Sequence, residues 1–228
     1  MGEKRAKIQQ SATECIVKNN WCGVYILSPR FGKSKVFIDS IKDKGNRSIA
    51  ITAPYNSILE SWKVEFVKWE LEFEPLLLNQ RSLEELPENI DLLCLDEIHT
   101  LSPAQIQTIK RKKPKRILGL SGTISQKNRI KLKQELGLKV ELEFSIEQAI
   151  EHGIISDYEI FIKEVTLTPE ERTAYNKLTK TFEYFKMLSF SDAKYVHVKN
   201  NAALKRAQYI YRLESKLKAA QSLIKPLK

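Results

Sequence analysis

The sequence predicts an α/β domain over about residues 1–145, a mostly parallel sheet covered by helices on both faces, followed by a mainly helical segment over 146–228. Three observations carry this. Short runs at 23–27, 48–52, 76–78, 92–95 and 117–120 are largely apolar, without the alternation of a half-wetted strand, and suit strands buried on both faces. Stretches with helical spacing separate them. The residues with chemistry to offer cluster just after those runs, at 28–34, 53–54, 96–97 and 121–123. Ligands of open parallel sheets sit beyond the carboxyl ends of the strands.

At 228 residues the chain has room for one large domain, or one domain with an appendage. Hydrophobic residues at 42% against charged ones at 29% give the balance of a soluble globular protein, and 8 Gly with 8 Pro exclude a low-complexity tract. No apolar run reaches the roughly 20 residues that span a bilayer, so no membrane partner is expected. The start, Met1-Gly2-Glu3-Lys4-Arg5, lacks the apolar stretch of a signal peptide. Cys15, Cys22 and Cys94 have no paired ligand spacing, which fits reduced thiols in a cytoplasmic protein, with Cys94 packed inside its strand. The formal net charge of +10 favours an anionic partner, and nucleic acid is the first candidate. The densest basic run, Lys110-Arg111-Lys112-Lys113-Pro114-Lys115-Arg116, is read as a solvated loop ahead of a strand in preference to a phosphate-binding or nuclear-targeting patch.

In chain order, 5–19 reads as a helix stopped by Asn19-Asn20. The strand at 23–27 ends in Ser28-Pro29, and helical spacing over 33–41 stops at Lys44-Gly45-Asn46. Pro54 closes the strand at 48–52. The amphipathic helix over 57–71 carries Trp62, Phe66 and Trp69 on one face, which is read as core packing and not as base stacking. Ser102-Pro103-Ala104-Gln105 is a capping box with proline at the first helical position. After the strand at 117–120, a helix over 126–136 ends at Gly137. Beyond Ser145 the character changes: a short helix broken by Gly153, strand-like alternation over 158–167, then a second capping box at Thr168-Pro169-Glu170-Glu171 opening a helix towards Leu188. A last helix over 202–223 carries Ile210, Leu213, Leu217, Ala220 and Ile224 as an apolar stripe.

Gly32-Lys33-Ser34, after a strand and before a helix, has the core of a phosphate loop. Backbone N–H groups face the phosphates, Lys33 adds positive charge at the β and γ positions, and the Ser34 hydroxyl can ligate Mg²⁺. The full pattern asks for glycine five positions before Gly32, where Leu27 stands, and Arg30 and Phe31 sit where smaller residues are usual. Alone, the triplet reads as the start of an ordinary helix. Asp96-Glu97, at the end of an apolar strand, changes that reading: Asp96 can hold the metal and Glu97 can polarise an attacking water. His99 joins the pair. His152 reads as a helix-end residue, and His197 is assigned nothing. Ser121-Gly122-Thr123 and Thr52-Ala53-Pro54 are ambiguous by themselves: the first is a turn or a pair of hydroxyls that sense nucleotide, the second a strand terminator or a contact to a nucleic-acid backbone.

These motifs, in this order, resemble the first motor domain of a superfamily 2 helicase or translocase of the Asp-Glu-x-His type. The carriers are Pro29-Arg30-Phe31-Gly32-Lys33-Ser34, Thr52-Ala53-Pro54, Asp96-Glu97-Ile98-His99 and Ser121-Gly122-Thr123. The stretch Ser-Ile-Leu-Glu-Ser-Trp-Lys-Val-Glu-Phe over 57–66 resembles the helix that follows motif Ia in Swi/Snf-like and restriction-type branches. The Arg-Phe pair in the loop is similar to that of phage-encoded helicases, which would place the chain in a bacterial or phage-infected cytoplasm. Gln9 resembles the upstream glutamine that reads adenine, with the neighbouring Gln10 as the alternative. The resemblance covers about residues 5–170.

The resemblance implies a RecA-like P-loop domain binding ATP through Gln9, Arg30, Gly32, Lys33 and Ser34, with Mg²⁺ held by Ser34 and Asp96. It gives Lys33 and Glu97 the catalytic roles, Glu97 as general base. His99, Ser121 and Thr123 would couple hydrolysis to movement, and Thr52, Ala53 and Pro54 would meet nucleic acid, DNA first and RNA second. Ser121-Gly122-Thr123 departs from the commoner Ser/Thr-Ala-Thr form, and Arg30 replaces a loop glycine. Such motors pair with a second lobe that supplies arginine fingers, each commonly worth roughly 10³–10⁵ in rate. No stretch after Ser145 matches that arginine motif; Gln208-Tyr209-Ile210-Tyr211-Arg212 lacks its glycine and second arginine. A second motor lobe is therefore an expected partner, 146–228 the segment leading towards it, and hydrolysis by this chain alone is expected to be feeble. The alternative from another class is a catalytically silent nucleic-acid- or protein-binding module that keeps the motor fold. A P-loop kinase, which needs lid arginines, fits the acidic and Ser-Gly-Thr motifs poorly.

Overall fold

The computed structural model describes residues 2–42 and 47–224, and the chain divides after Tyr158 into two compact units. The expected helix stop at Lys44-Gly45-Asn46 lies outside the described residues. The first unit runs α1 (Gly2–Lys18), β1 (Gly23–Leu27), α2 (Lys33–Ile41), β2 (Ile49–Ala53), α3 (Asn56–Lys68), β3 (Leu76–Asn79), β4 (Leu92–Asp96), α4 (Pro103–Lys112), β5 (Ile117–Ser121), α5 (Gln126–Leu136), β6 (Val140–Phe144) and α6 (Ile146–Glu151). Single 3₁₀ segments occupy Gln80–Glu85 and Ile98–Thr100.

The six strands form one sheet in the order β3-β2-β4-β5-β1-β6, and every neighbouring pair is parallel. This is the α/β architecture that the apolar strands predict. Alternate side chains of each strand feed two separate cores. Tyr25, Leu27, Ile49, Ile51, Leu118 and Leu120 meet α1, α2 and α3 on one face. Val24, Ile26, Ala50, Leu93 and Leu95 meet Ile106 and Ile109 of α4 and Leu132 of α5 on the other. Burial on both faces is why the strands carry no polar alternation. Gly119 in β5 is required by a close approach: a side chain there would overlap Ile98.

Two strands differ from the sequence expectation in kind. β3 is an edge strand with only partial cover, apolar though it is. β6, absent from the expectation, alternates half-buried and exposed residues through Val-Glu-Leu-Glu-Phe at the opposite edge, where one face meets water. The anticipated capping box of Ser102 with Gln105 forms, and Gly137 ends α5 at φ 70° as expected; Ser145 with Gln148 closes a further box that opens α6.

The second unit contains α7 (Pro169–Ser191), α8 (Tyr195–Tyr211) and α9 (Glu214–Ile224), with α7 opened by the Thr168/Glu171 capping box. Two expectations are corrected here. The alternating stretch 158–167 forms no strand; Ile160, Phe161 and Ile162 are all largely exposed, so no neighbouring strand completes a ladder. The single helix expected over 202–223 is two helices that meet at Arg212. Leu213 is buried at the junction, and the Glu171 carboxylate accepts the Ser215 N–H at 3.0 Å. A tertiary partner for the first N–H groups of α9 compensates the broken helical ladder.

Candidate functional site

The loop between β1 and α2 is held from beneath by α1. The Gln9 amide donates to the Phe31 carbonyl, and the Arg5 guanidinium donates to the Arg30 carbonyl at 2.6 Å. Phe31 turns into the core, fully buried and 4.9 Å from the ring of Phe144, which is how the loop accommodates a large residue. Arg30 and Gly32 both take left-handed backbone conformations, at φ 62° and 93°. At Gly32 that conformation coincides with crowding: a Cβ would stand 2.5 Å from the Gln9 nitrogen. Gly32 stands at the cap position of α2 and offers no side-chain acceptor to the N–H groups of the first turn. A helix start of this kind binds anions.

Two cavities flank the loop and share Arg30, Gly32, Ser34 and Glu65 in their walls. One, about 420 Å³, is completed by Arg5, Gln9, Lys35, Lys68 and Trp69. The other, about 250 Å³, brings Lys33 and Ser34 together with Asp96 and Trp62. The Lys33 ammonium also lies 3.8 Å from where a side chain at Gly122 would begin, so it reaches across to the end of β5.

Asp96 ends β4 almost fully buried. Its Oδ2 accepts the indole N–H of Trp62 at 2.9 Å, its Oδ1 accepts the Glu97 N–H at 3.0 Å, and its carbonyl accepts from Gln80 at 3.0 Å. Burial raises the Asp96 carboxyl above its ordinary range; the Trp62 bond opposes this, Glu97 adds to it and Lys33 counters it. A buried carboxylate that is costly to charge gains from a cation nearby.

Glu97 adopts a left-handed conformation (φ 51°), and its carboxylate lies 3.3 Å from His99 Nδ1. The same nitrogen is 2.8 Å from Ser121 Oγ. Ser121 Oγ in turn donates to the Thr123 carbonyl at 2.7 Å and accepts the Thr123 N–H at 3.3 Å. With the hydroxyl proton committed to Thr123, His99 Nδ1 is the donor to Ser121. The ends of β4 and β5 are thereby joined by side chains.

The sequence-predicted residues do not all stand in this cluster. Gln9, Arg30, Gly32, Lys33 and Ser34 line the cavities, Asp96 closes one of them, and Glu97, His99, Ser121 and Thr123 form the adjoining chain of contacts. Thr52 and Ala53 are fully buried at the end of β2; the partly exposed Pro54 and the exposed Tyr55 are the side chains this loop presents. The basic run 110–116 lies at the amino ends of the strands, on the rim opposite the site. Four of its members are engaged: Lys110 with Glu135, Arg111 with Glu84, Lys115 with Asp91 and Arg116 with Asn20. His152 caps α6, its Nδ1 2.9 Å from the Gln148 carbonyl.

Sequence reading missed Glu65, Trp62 and Gln80. Glu65 Oε2 accepts the Ser34 hydroxyl at 3.3 Å and the Trp69 indole N–H at 2.6 Å, while Oε1 pairs with Lys68 at 3.1 Å. Burial opposes its charge, but the bonds from Trp69, Lys68 and Ser34 prevail and hold it below the ordinary carboxylate range. The signal was an acidic residue set inside the Trp62, Phe66, Trp69 stripe. Gln80, buried, joins the Asp96 carbonyl to the Thr100 hydroxyl.

Among the described residues no group of three or more His, Cys, Asp and Glu is placed to hold a metal, and no helix is long and apolar enough to cross a membrane. No family model matches the sequence, and no curated protein matches it either. Solved structures with distant similarity include two helicases. The UvsW helicase from bacteriophage T4 aligns at 15% identity over 54% of this chain and 54% of its own, with a TM-score of 0.46. The helicase domain of Hef from Pyrococcus furiosus aligns at 14% identity over 82% of this chain and 47% of its own, with a TM-score of 0.49. This chain spans about half the length of each of these two structures.

Proposed function

We propose that the first unit binds Mg²⁺–ATP at the carboxyl rim of its sheet and serves as the N-terminal, RecA-like motor lobe of a nucleic-acid-dependent ATPase of the superfamily 2 helicase or translocase type. The observation that carries this is the meeting of Lys33, Ser34 and Asp96, from two separated strand ends, in one cavity. Lys33 and the first turn of α2 provide positive potential for phosphates, and Arg30 adds a guanidinium at the same mouth. Gln9 lines the neighbouring cavity, where a base and ribose have room.

The donor set suits Mg²⁺, which takes one or two protein oxygens and completes its shell with phosphates and water. Ser34 and Asp96 would hold it, and when bound it would neutralise charge on the phosphates. Glu97 is the general base that takes the proton of the attacking water. His99, in reach of both Glu97 and Ser121, passes the state of that carboxylate to the end of β5, and Ser121 with Thr123 relays it to the nucleic-acid side. DNA is the favoured partner and RNA the second, with Pro54 and Tyr55 the contacts from the β2 end. A second lobe supplies the arginines that complete the reaction, so this chain alone hydrolyses feebly.

Phosphate release with and without single-stranded DNA tests this. Wild type should show a low rate that DNA raises, and Glu97→Gln should retain nucleotide binding while falling to background. Robust turnover by this chain alone would contradict the dependence on a second lobe, and equal rates for wild type and Glu97→Gln would remove Glu97 from the reaction.

A further inference from the structure

We infer that α3 orients both proposed magnesium ligands, with Glu65 the positioning residue for Ser34 and Trp62 the positioning residue for Asp96. This rests on the nucleotide-site reading above and adds to it two residues that lie in neither the phosphate loop nor the acidic motif. Trp62 and Glu65 are three residues apart, so their side chains leave the same face of the helix. The Trp62 indole fixes Asp96 Oδ2 at 2.9 Å, and Glu65 Oε2 accepts the proton of the Ser34 hydroxyl at 3.3 Å. All four residues line the cavity of about 250 Å³ that also holds Lys33.

The chemistry follows from what each group has to give. A serine hydroxyl that ligates a cation offers a lone pair, and its single proton must then go to an acceptor on the far side. In this structure that acceptor is Glu65 and not Asp96, whose two oxygens each carry one N–H bond, from Trp62 and from Glu97, and keep lone pairs for a cation. Glu65 accepts that hydrogen bond and leaves the Ser34 lone pairs directed away from it. Glu65 is itself held, by Trp69 at 2.6 Å and Lys68 at 3.1 Å, so it presents a fixed acceptor. Trp62, pinned between Phe37 and Phe66, does the same for Asp96 as a fixed donor. Ligands oriented from a second layer bind metals more tightly, and loss of such a partner typically lowers metal affinity about 10- to 100-fold.

The test is the gain in affinity for a fluorescent ATP analogue when EDTA is replaced by Mg²⁺, measured for wild type, Glu65→Ala, Ser34→Ala, the Glu65→Ala/Ser34→Ala pair and Trp62→Phe. Thermal unfolding of each variant serves as the folding control. Glu65→Ala should bind the analogue in EDTA as wild type does, yet lose about tenfold of the Mg²⁺-dependent gain. In the Ser34→Ala background it should cost nothing further, since Glu65 acts through that hydroxyl. A purely structural role would lower affinity equally with and without Mg²⁺. Trp62→Phe, which keeps a ring but loses the donor, should also reduce the Mg²⁺-dependent gain; if it fails to fold, the Glu65 variants decide alone. An unchanged gain in Glu65→Ala, or full additivity with Ser34→Ala, overturns the inference while leaving the nucleotide site intact. A wild-type chain that binds no nucleotide overturns that site and the inference together.

Discussion

His99 Nδ1 lies 2.8 Å from Ser121 Oγ and 3.3 Å from the Glu97 carboxylate, so one imidazole bridges the acidic end of β4 and the hydroxyl end of β5. The backbone of that bridge is fixed as well, because Asn128 of α5 donates to the His99 carbonyl at 3.1 Å. A residue so placed can report on Glu97 without taking part in binding. His99→Ala should therefore keep ATP affinity and lower the stimulation of hydrolysis by DNA about tenfold, the worth of one hydrogen bond of ~1.4 kcal/mol. Ser121→Ala should do the same, and the double variant should be no worse than either. Additive losses would place the two residues in separate paths.

Gly32 is the loop position least able to change. Its φ of 93° disfavours any side chain, and a Cβ there would meet the Gln9 amide at 2.5 Å. Gly32→Ala should lose about 1–3 kcal/mol of stability in urea denaturation and all saturable nucleotide binding. Adding Gln9→Ala removes the crowding but not the backbone strain, so it should recover only part of the stability. Unaltered stability in Gly32→Ala would show that the loop does not need this conformation.

The rim opposite the site should be indifferent to charge. Lys112 and Lys113 belong to a run whose neighbours are paired with Glu135, Glu84, Asp91 and Asn20. Replacing both by Gln should change DNA affinity less than twofold at fixed salt, whereas substitution of Arg30, on the site rim, should weaken nucleotide binding. A salt dependence of DNA binding that flattens in the Lys112→Gln/Lys113→Gln variant would instead assign phosphate contacts to this run.

Asp91 supplies a pH signature for the fold. Its carboxylate accepts from Lys115 at 2.8 Å and from the backbone N–H and hydroxyl of Ser48 at 3.0 and 2.9 Å, which together hold it well below the ordinary 3.8. A depressed carboxylate stabilises the folded chain above its unfolded pKa and loses that contribution as pH falls towards the folded value. Asp91→Asn should be less stable than wild type near neutrality, and the difference should shrink below about pH 4. A difference independent of pH would mean that packing, not charge, is what the substitution removes.

Much of the fold was legible because burial on two faces leaves a plain trace: the apolar runs of β1, β2, β4 and β5 and the capping boxes at Ser102 and Thr168. β6 was missed because an edge strand alternating Val, Glu, Leu, Glu and Phe carries a weaker signal than a buried one. The strand expected over 158–167 has the alternation but no neighbour to pair with, and the break at Arg212 depends on a contact from Glu171 distant in sequence. At the candidate site, residue types and order singled out Lys33, Ser34, Asp96 and His99, which stand together on the carboxyl rim of the sheet. Glu65 and Trp62 escaped because their partners, Ser34 and Asp96, lie 31 and 34 positions away, and such pairings exist only in the folded chain.

Whether Lys33, Ser34 and Asp96 form a nucleotide site is decided by equilibrium binding of a fluorescent ATP analogue with Mg²⁺ to wild type and to Lys33→Ala. Wild type should bind saturably below about 1 mM, the upper end of usual substrate affinities, and Lys33→Ala should not. Equal binding by both proteins, or none by wild type at that concentration, would contradict such a site.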